Sequence, residues 1–499
     1  MNFTQNHIYI VGSSRYGKSN LLQVMVRGLA DRYSSDEVNI YILDFATLVM
    51  KNFESLNCVG GIVTARDDEK LKNLIKMLLE EVEKRKNLLA GMGLSSFSAY
   101  RESGYRELSQ IIVMIDNFGA VREMYPKYEE DLLSICREGI AVGISMVATT
   151  SQSTAVGYKY VPNFGKRIAL FCNESAEYTH AFEHCRIKPD NKPGRCILEI
   201  DKELYEGQIY LAFSAEKEIE KITQIREFIE ESNQKDRGLG AVKIPEIPAV
   251  VTAKFITRQT GGKFEAYKMV SGINYATTKF DYLHLLQTGI IGIGGREHGG
   301  TSNFLKYIIA DLLKHKEEAP VKIHIVDNLK RKLEPFGQDK EDVVYSCNPA
   351  EVESYINNLT GILKERYQWM LSGNEKKLEK APLLVLVMNA GDCYSVLGSN
   401  ANLVEAYVNI INRYRMLKVC IIMAQMPNTS LNFGASPIWK SVKEVLNMYL
   451  FYNLSEQKMV DISLAVQREF AKPLEVGEAF NICAGNLEKL KTPLYTPET

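Results

Sequence analysis

His7-Ile8-Tyr9-Ile10-Val11-Gly12-Ser13-Ser14-Arg15-Tyr16-Gly17-Lys18-Ser19-Asn20 is the stretch that decides the fold. Its first five residues read as a buried strand. Gly12 to Ser19 then match G-x-x-x-x-G-K-[ST] between that strand and a helix opening near Asn20, which is the context such a loop requires. Phosphates carry dense negative charge, so a cradle for them needs inward-pointing backbone N–H groups, glycines that let the backbone approach, and the positive end of a helix dipole. The bland alternative is a tight glycine turn that caps a helix. The full pattern instead predicts that Gly12, Ser13, Ser14, Arg15, Tyr16, Gly17, Lys18, Ser19 and Asn20 surround ATP, with Lys18 on the β and γ phosphates and the Ser19 hydroxyl on Mg²⁺.

A site of this kind needs a carboxylate at the end of a neighbouring strand to fix the metal's water shell, and Ile111-Ile112-Val113-Met114-Ile115-Asp116 supplies one. Asp116 is therefore expected to serve the metal together with Ser19. The next residue, Asn117, occupies the place where a hydrolytic motor carries a glutamate. An amide positions water but cannot take its proton, which predicts nucleotide binding with weak turnover. Met146-Val147-Ala148-Thr149-Thr150-Ser151 ends a further strand in hydroxyls, so Thr149 is the candidate γ-phosphate sensor.

Outward from the loop, apolar runs alternate with helix-period segments, the pattern of a mostly parallel sheet with crossover helices. Strands are predicted at His7 to Val11, Asn39 to Leu43, Gln110 to Ile115, Ile144 to Ala148, Arg167 to Phe171 and Arg195 to Glu199, with a long helix over Asp68 to Leu89. The Pro-punctuated Ile244-Pro245-Glu246-Ile247-Pro248 marks a linker. The second half then repeats the first, with strands at Gly289 to Ile293, Lys322 to Val326, Leu383 to Met388, Val419 to Met423 and Asn447 to Phe451, and a helix near Glu351 to Leu371. Marker pairs Lys18/Gly300, Asp44/Asp327, Arg85/Arg366, Asp116/Asn389 and Ala148/Ala424 keep a nearly constant offset in sequence order, as a duplication requires. The expected organisation is a first α/β domain over 1–232, a linker over 233–250 and a degenerate copy over 251–499.

In that second copy the matching loop reads Gly294-Gly295-Arg296-Glu297-His298-Gly299-Gly300-Thr301. Its expected degenerate site comprises Gly294, Gly299, Gly300, Thr301 and Asn389. Gly300 reads as the replacement for the lysine, Glu297 brings a negative charge to the phosphate seat, and Asn389 stands where the metal-shell aspartate should be. Both main electrostatic terms for a triphosphate are thereby lost. His298 reads as a loop residue.

Composition bounds the function. With 499 residues, 45% of them hydrophobic and 24% charged, the chain can build two or three cores. Sixty basic residues against 61 acidic leave a formal charge of -1, so no global positive field is available to hold a nucleic-acid backbone. The nine cysteines form no C-x-x-C pair and read as reduced core residues. No run approaches the roughly 18 apolar residues of a membrane helix. A buried strand within a few residues of Met1 predicts a piece of something larger.

These residues resemble the FtsK/SpoIIIE class of additional-strand P-loop ATPases, specifically the second and third cytosolic C-terminal domains of type VII secretion motors of the EssC/YukB/EccC family. The resemblance rests on the loop, the Asp116 strand, Glu83-Lys84-Arg85 and its echo Lys364-Glu365-Arg366, Ala148-Thr149-Thr150, and the Lys192-Pro193-Gly194-Arg195 turn leading to Gly207-Gln208. It implies tandem RecA/FtsK-like folds, MgATP, export of small helical-hairpin proteins of the WXG100 type, hexameric assembly with other copies, and attachment to the cytoplasmic face of a membrane through upstream segments. Asn117, Gly300 and Asn389 depart from the family pattern. Arg85, Arg137 and Arg195 are candidate arginine fingers. A DNA-translocating relative and a nucleotide-gated scaffold without turnover are the competing readings.

Overall fold

In the computed structural model the chain divides into two units, Met1–Glu246 and Ile247–Thr499. The structure describes all residues except 1, 183–184, 216, 329, 340, 390–399, 415, 427, 429–446, 484 and 498–499. Cys393 therefore lies outside the described residues. Of the other eight cysteines, all free, five are buried, but Cys185 and Cys347 are half-buried and Cys483 is exposed, so the expectation of core thiols holds only in part.

The apolar runs of the first unit become β1 (Ile8–Val11), β2 (Val38–Asp44), β3 (Val59–Thr64), β4 (Gln110–Asp116), β5 (Ile144–Thr150), β6 (Lys166–Leu170), β7 (Arg195–Ile200) and β8 (Glu203–Gln208). They form one sheet in the order β3-β2-β4-β5-β1-β6-β7-β8, parallel as far as β6 and antiparallel beyond it. Every residue of β1, β2, β4 and β5 is buried, as expected for strands covered by helices on both faces. The helix α1 (Lys18–Ala30) packs Leu22, Val26 and Leu29 on one face. On the other, α2 (Asp68–Gly91) buries Leu71, Leu74, Ile75, Leu78, Val82 and Leu89 at helical spacing, with Asp68 and Glu69 against the dipole in its first turn. Each such side chain contributes on the order of 1.5–3 kcal/mol when fully buried.

The second unit repeats this plan with β11 (Ile290–Gly295), β12 (Val321–Asp327), β13 (Val343–Ser346), β14 (Leu383–Asn389), β15 (Val419–Ala424), β16 (Asn447–Phe451), β17 (Glu478–Cys483) and β18 (Asn486–Lys491). A hairpin of β9 (Lys268–Asn274) and β10 (Phe280–His284) is added at one edge, giving the order β10-β9-β18-β17-β16-β11-β15-β14-β12-β13. Its first crossover helix is α3 (Thr301–Lys314) and its long helix α4 (Pro349–Leu371). The two tandem sheets flanked by helices are those read from the sequence.

Strand pairing fixes the correspondence between the copies residue by residue, and it corrects two markers. Asp44 sits opposite Asp116 as Asp327 sits opposite Asn389. Ile115 pairs with Ala148, and Met388 pairs with Met423, so Ala148 corresponds to Met423 and Thr149 to Ala424. At the loop, left-handed Gly17 (φ 104°) precedes Lys18, and left-handed Gly300 (φ 116°) precedes Thr301. A Cβ on Gly12 would meet Leu170 at 2.8 Å, and a Cβ on Gly295 would meet Phe451 at 2.6 Å. Thr301 therefore occupies the place of Lys18, Gly300 that of Gly17, and Ser302 that of Ser19, one position on from the register read off the glycines.

Arg85 and Arg366 are a duplicated clamp. Arg85 is 2% exposed and donates to the carbonyls of Ser109 (2.9 Å) and Val142 (3.0 Å), just before β4 and β5, while pairing with Glu81 at 2.8 Å. Arg366 donates to the corresponding carbonyls of Pro382 (2.9 Å) and Leu417 (2.8 Å). These carbonyls lie at the entry ends of parallel strands, whereas the loop sits at the exit end, and the buried Arg85 guanidinium is engaged by them and by Glu81. The segment expected to link the copies is held by the first unit as far as Glu246. The Ala241 amide donates to the Asn57 carbonyl and that of Ile244 to Gly60, Tyr41 donates to Val242, and Lys70 pairs with Glu246.

Candidate functional site

The exit ends of β1, β4 and β5 bring Lys18, Ser19, Asp116 and Thr149 together. Between β1 and α1 the chain turns through two left-handed residues, Arg15 (φ 70°) and Gly17. The Lys18 ammonium is folded back on the loop and donates to the carbonyls of Gly12 (2.7 Å) and Ser13 (3.1 Å). The Ser19 hydroxyl donates to Asp116 Oδ2 at 2.6 Å, and the Thr149 hydroxyl to Oδ1 at 2.7 Å. Burial pushes the Asp116 carboxyl up, against those two hydrogen bonds, and pushes the Lys18 ammonium down. Each group would gain from the counter-charge that a magnesium phosphate brings.

The residues fit MgATP on three observations: a loop whose glycines leave no room for a Cβ at position 12, a helix N-terminus with its amides directed into the loop, and a hydroxyl–carboxylate oxygen pair of the hard kind that magnesium takes. Beneath this pair, Asp44 accepts three backbone amides, from Ala46, Leu48 and Met50, and so shapes the turn after β2.

Three expected site residues are engaged by neighbours within the chain. Thr149 is fully buried, and its hydroxyl both donates to Asp116 and accepts the Asn117 amide at 2.9 Å, so it orients the carboxylate. Asn117 is left-handed (φ 73°), and its side-chain oxygen caps the helix Phe118–Met124 by accepting the Ala120 amide at 3.3 Å. The Asn20 side chain donates to the Tyr210 carbonyl and accepts the Ala212 amide, which ties α1 to the segment after β8. Ser13 and Tyr16 brace the loop from its far side, through the Asn173 amide and the Asn191 side chain respectively, while Ser14 and Arg15 are exposed. Sequence reading used Asp44 only as a marker and missed its role in the turn, and it missed Asn191 and the contacts of Asn20, whose partners lie 175 to 192 positions away along the chain. Of the remaining finger candidates, Arg137 is exposed on its helix. Arg195 stands on the turn whose Gly194 amide donates to the Tyr16 carbonyl, 3.9 Å from Glu206.

In the second unit the same position is stripped. Thr301 replaces the lysine and Ala424 the threonine, and the Asn389 amide donates to Asp327 Oδ1 at 2.8 Å, while its own oxygen finds no partner among the described residues. Gly294, Gly299 and Gly300 keep the loop's shape. What fills the position of the ligand here is a cavity of about 500 Å³.

Residues 1–195 match the family model of the FtsK/SpoIIIE family. Over 98% of its length the chain is 21% identical to the ESX secretion system protein EccC of Geobacillus thermodenitrificans, and over 99% it is 21% identical to the ESX secretion system protein YukB of Bacillus subtilis. It spans about a third, 32%, of the length of these curated relatives. Among solved structures, EssC (ATPases 2 and 3) from G. thermodenitrificans aligns over 98% of this chain and 91% of its own at a TM-score of 0.85 and 21% identity. Thermomonospora curvata EccC (ATPases 2 and 3), in complex with a signal sequence peptide, aligns over 98% and 88% at a TM-score of 0.63 and 17% identity. The fold of both units is thus that of tandem ATPase domains.

Proposed function

We propose, from the premise that residues 1–195 carry an FtsK/SpoIIIE-family domain, that this chain is the nucleotide-binding part of a type VII secretion motor. In this reading the first unit holds MgATP over Lys18. The second, having no lysine or carboxylate at the equivalent positions, serves as a docking or regulatory surface. The observation that carries the reading is the convergence of Lys18, Ser19 and Asp116 at one strand-to-helix turn. Bound MgATP supplies the phosphoryl group whose transfer to water can drive movement. Around it the chain's own groups have separate tasks: the loop amides and Lys18 neutralise charge, Ser19 and Asp116 hold the cation, and Thr149 keeps Asp116 oriented.

The substrates would be small helical-hairpin proteins of the WXG100 type, and the assembly a hexamer at the cytoplasmic face of a membrane reached through segments of a longer chain. The relative solved with a signal sequence peptide supports a peptide-receiving role for such tandem domains. Among the described residues no helix is long and apolar enough to cross a membrane.

Titration calorimetry with ATP and excess Mg²⁺ tests the nucleotide claim: uptake of one equivalent, abolished by Lys18→Ala, is expected, and uptake that survives the substitution undiminished would refute it. The Asn117 cap favours a second reading, in which bound nucleotide holds copies together without turnover. Equal, negligible phosphate release by the native chain and by Lys18→Ala would select it. Titration with secreted helical-hairpin proteins tests the partner, and binding that maps outside residues 251–499 would sink the docking role.

A further inference from the structure

The cleft of the second unit has lost the cation of the loop but gained others. The turn after β12 matches the turn after β2 closely: Leu48 and Arg331 are both left-handed, and the amides of Met50 and Leu333 both donate to the aspartate that ends the strand. In this correspondence Lys330 and Lys332 replace Thr47 and Val49. Both lysines line the cavity of about 500 Å³ over the loop, together with Arg296, Thr301 and Ser302. That volume lies in the range of small-ligand pockets.

Three cations thus face one carboxylate, Glu297. It pairs with Lys330 at 3.0 Å, but the two side chains are 71% and 66% exposed, so solvent screens the pair and an incoming anion can exchange with it. Arg296 is anchored by a hydrogen bond from its guanidinium to the Leu474 carbonyl at 3.2 Å. The carboxylate that would demand a metal between itself and a phosphate is gone. Asn389 is a neutral amide, 1% exposed, and its oxygen has no partner among the described residues where Asp116 receives two hydroxyls. The fourth element is the N-terminus of the 14-residue α3, entered through left-handed Gly300.

We propose that the cleft over residues 295–302 is a metal-independent seat for a phosphate-bearing anion, a pyrophosphoryl or triphosphoryl group held by Lys330, Lys332 and Arg296 in place of a loop lysine and magnesium. This goes beyond the MgATP reading of the first unit and does not depend on it. The test is calorimetric titration of inorganic pyrophosphate into the full chain carrying Lys18→Ala, in the presence of EDTA, so that the first cleft is silenced.

Uptake of one equivalent is expected, weakened at least about tenfold when Lys330→Gln and Lys332→Gln are added. Both lysines are exposed, so their replacement leaves the fold in place, and MgATP uptake by the first cleft of a Lys330→Gln/Lys332→Gln chain should be unchanged. Competition by ATP separates the sources: displacement no tighter than pyrophosphate itself identifies an inorganic polyphosphate, and much tighter displacement a nucleotide. No uptake by the Lys18→Ala chain, uptake indifferent to the two glutamines, or uptake that requires Mg²⁺ overturns the proposal.

Discussion

Replacing Arg85 by methionine separates a structural clamp from a catalytic finger. Methionine keeps most of the aliphatic volume, so the change removes chiefly the guanidinium. The carbonyls of Ser109 and Val142, now receiving donors at 2.9 and 3.0 Å inside the protein, then lose them. An acceptor stranded in this way costs about 1–3 kcal/mol, and two of them about 2–6 kcal/mol. Against this stands the desolvation of a guanidinium that no longer has to be buried with Glu81. A net loss of about 2–5 kcal/mol is expected, a large fraction of a domain's stability.

Urea unfolding followed by circular dichroism measures that loss. The two tryptophans, Trp369 and Trp439, both belong to the second unit, so fluorescence reads that unit and provides the control. Arg366→Met, which strips the equivalent carbonyls of Pro382 and Leu417, should move the fluorescence midpoint by a comparable amount. At low urea the Arg85→Met chain should still take up MgATP, since the clamp and the loop lie at opposite ends of the strands. If Arg85→Met leaves the unfolding midpoint in place yet abolishes phosphate release, the clamp argument is wrong and Arg85 acts at a reaction centre.

Two further outcomes follow from polar groups held by the backbone. Asn117→Glu should lower stability by about 1–3 kcal/mol, because the position is left-handed and its side chain caps a helix, and should not raise phosphate release to multiple turnover; Asn117→Gly, which tolerates φ 73°, should cost no more than about 1 kcal/mol. His7 accepts the Met146 amide on Nδ1 and donates from Nε2 to the Cys136 carbonyl, which fixes the neutral ring, and burial lowers its pKa from 6.5 to about 4. The unfolded chain therefore binds this proton first as pH falls below 6.5. The resulting loss grows until about pH 4 and reaches about 3 kcal/mol, so stability against pH should be flatter over that window in His7→Gln than in the native chain.

How much of this was legible depended on how local the signal was. The first loop, Asp116 and the buried central strands announce themselves because a glycine turn and a run of five or six apolar residues are complete statements within one segment. β3 does not: two glycines break the apolar run of Val59-Gly60-Gly61-Ile62-Val63-Thr64, which is not among the predicted strands, yet a Cβ on Gly60 would meet the Tyr41 ring at 2.2 Å and the Val242 carbonyl at 2.5 Å, so the glycines are there to admit neighbours distant in sequence. The edge strand β8, and β18 between β17 and β9, alternate with exposed charged residues and carry no apolar run. The one-residue slip at the second loop has a similar cause. Gly294, Gly295, Gly299 and Gly300 offer two equally good alignments to Gly12 and Gly17, and only the left-handed residue before the helix and the strand pairing choose between them.

That choice changes the account of what the second copy lost. In the first unit Asp44 and Asp116 lie opposite each other on adjacent strands, two buried carboxylates in register, and the arrangement holds because Ser19 and Thr149 donate to Asp116 and Lys18 stands near. Take away the lysine and the threonine, as Thr301 and Ala424 do, and a carboxylate at position 389 would face Asp327 with neither cation nor hydroxyl to offset the repulsion. An amide removes the charge and turns the repulsion into a hydrogen bond of 2.8 Å. The three differences are therefore mutually consistent: with Thr301 and Ala424 in these places a carboxylate at position 389 would burden the fold, and asparagine does not. The loop itself needs no such compensation, because its backbone amides and left-handed Gly300 do not require magnesium to remain in place, so the shape of an anion cradle is compatible with the changed residues at 301, 389 and 424.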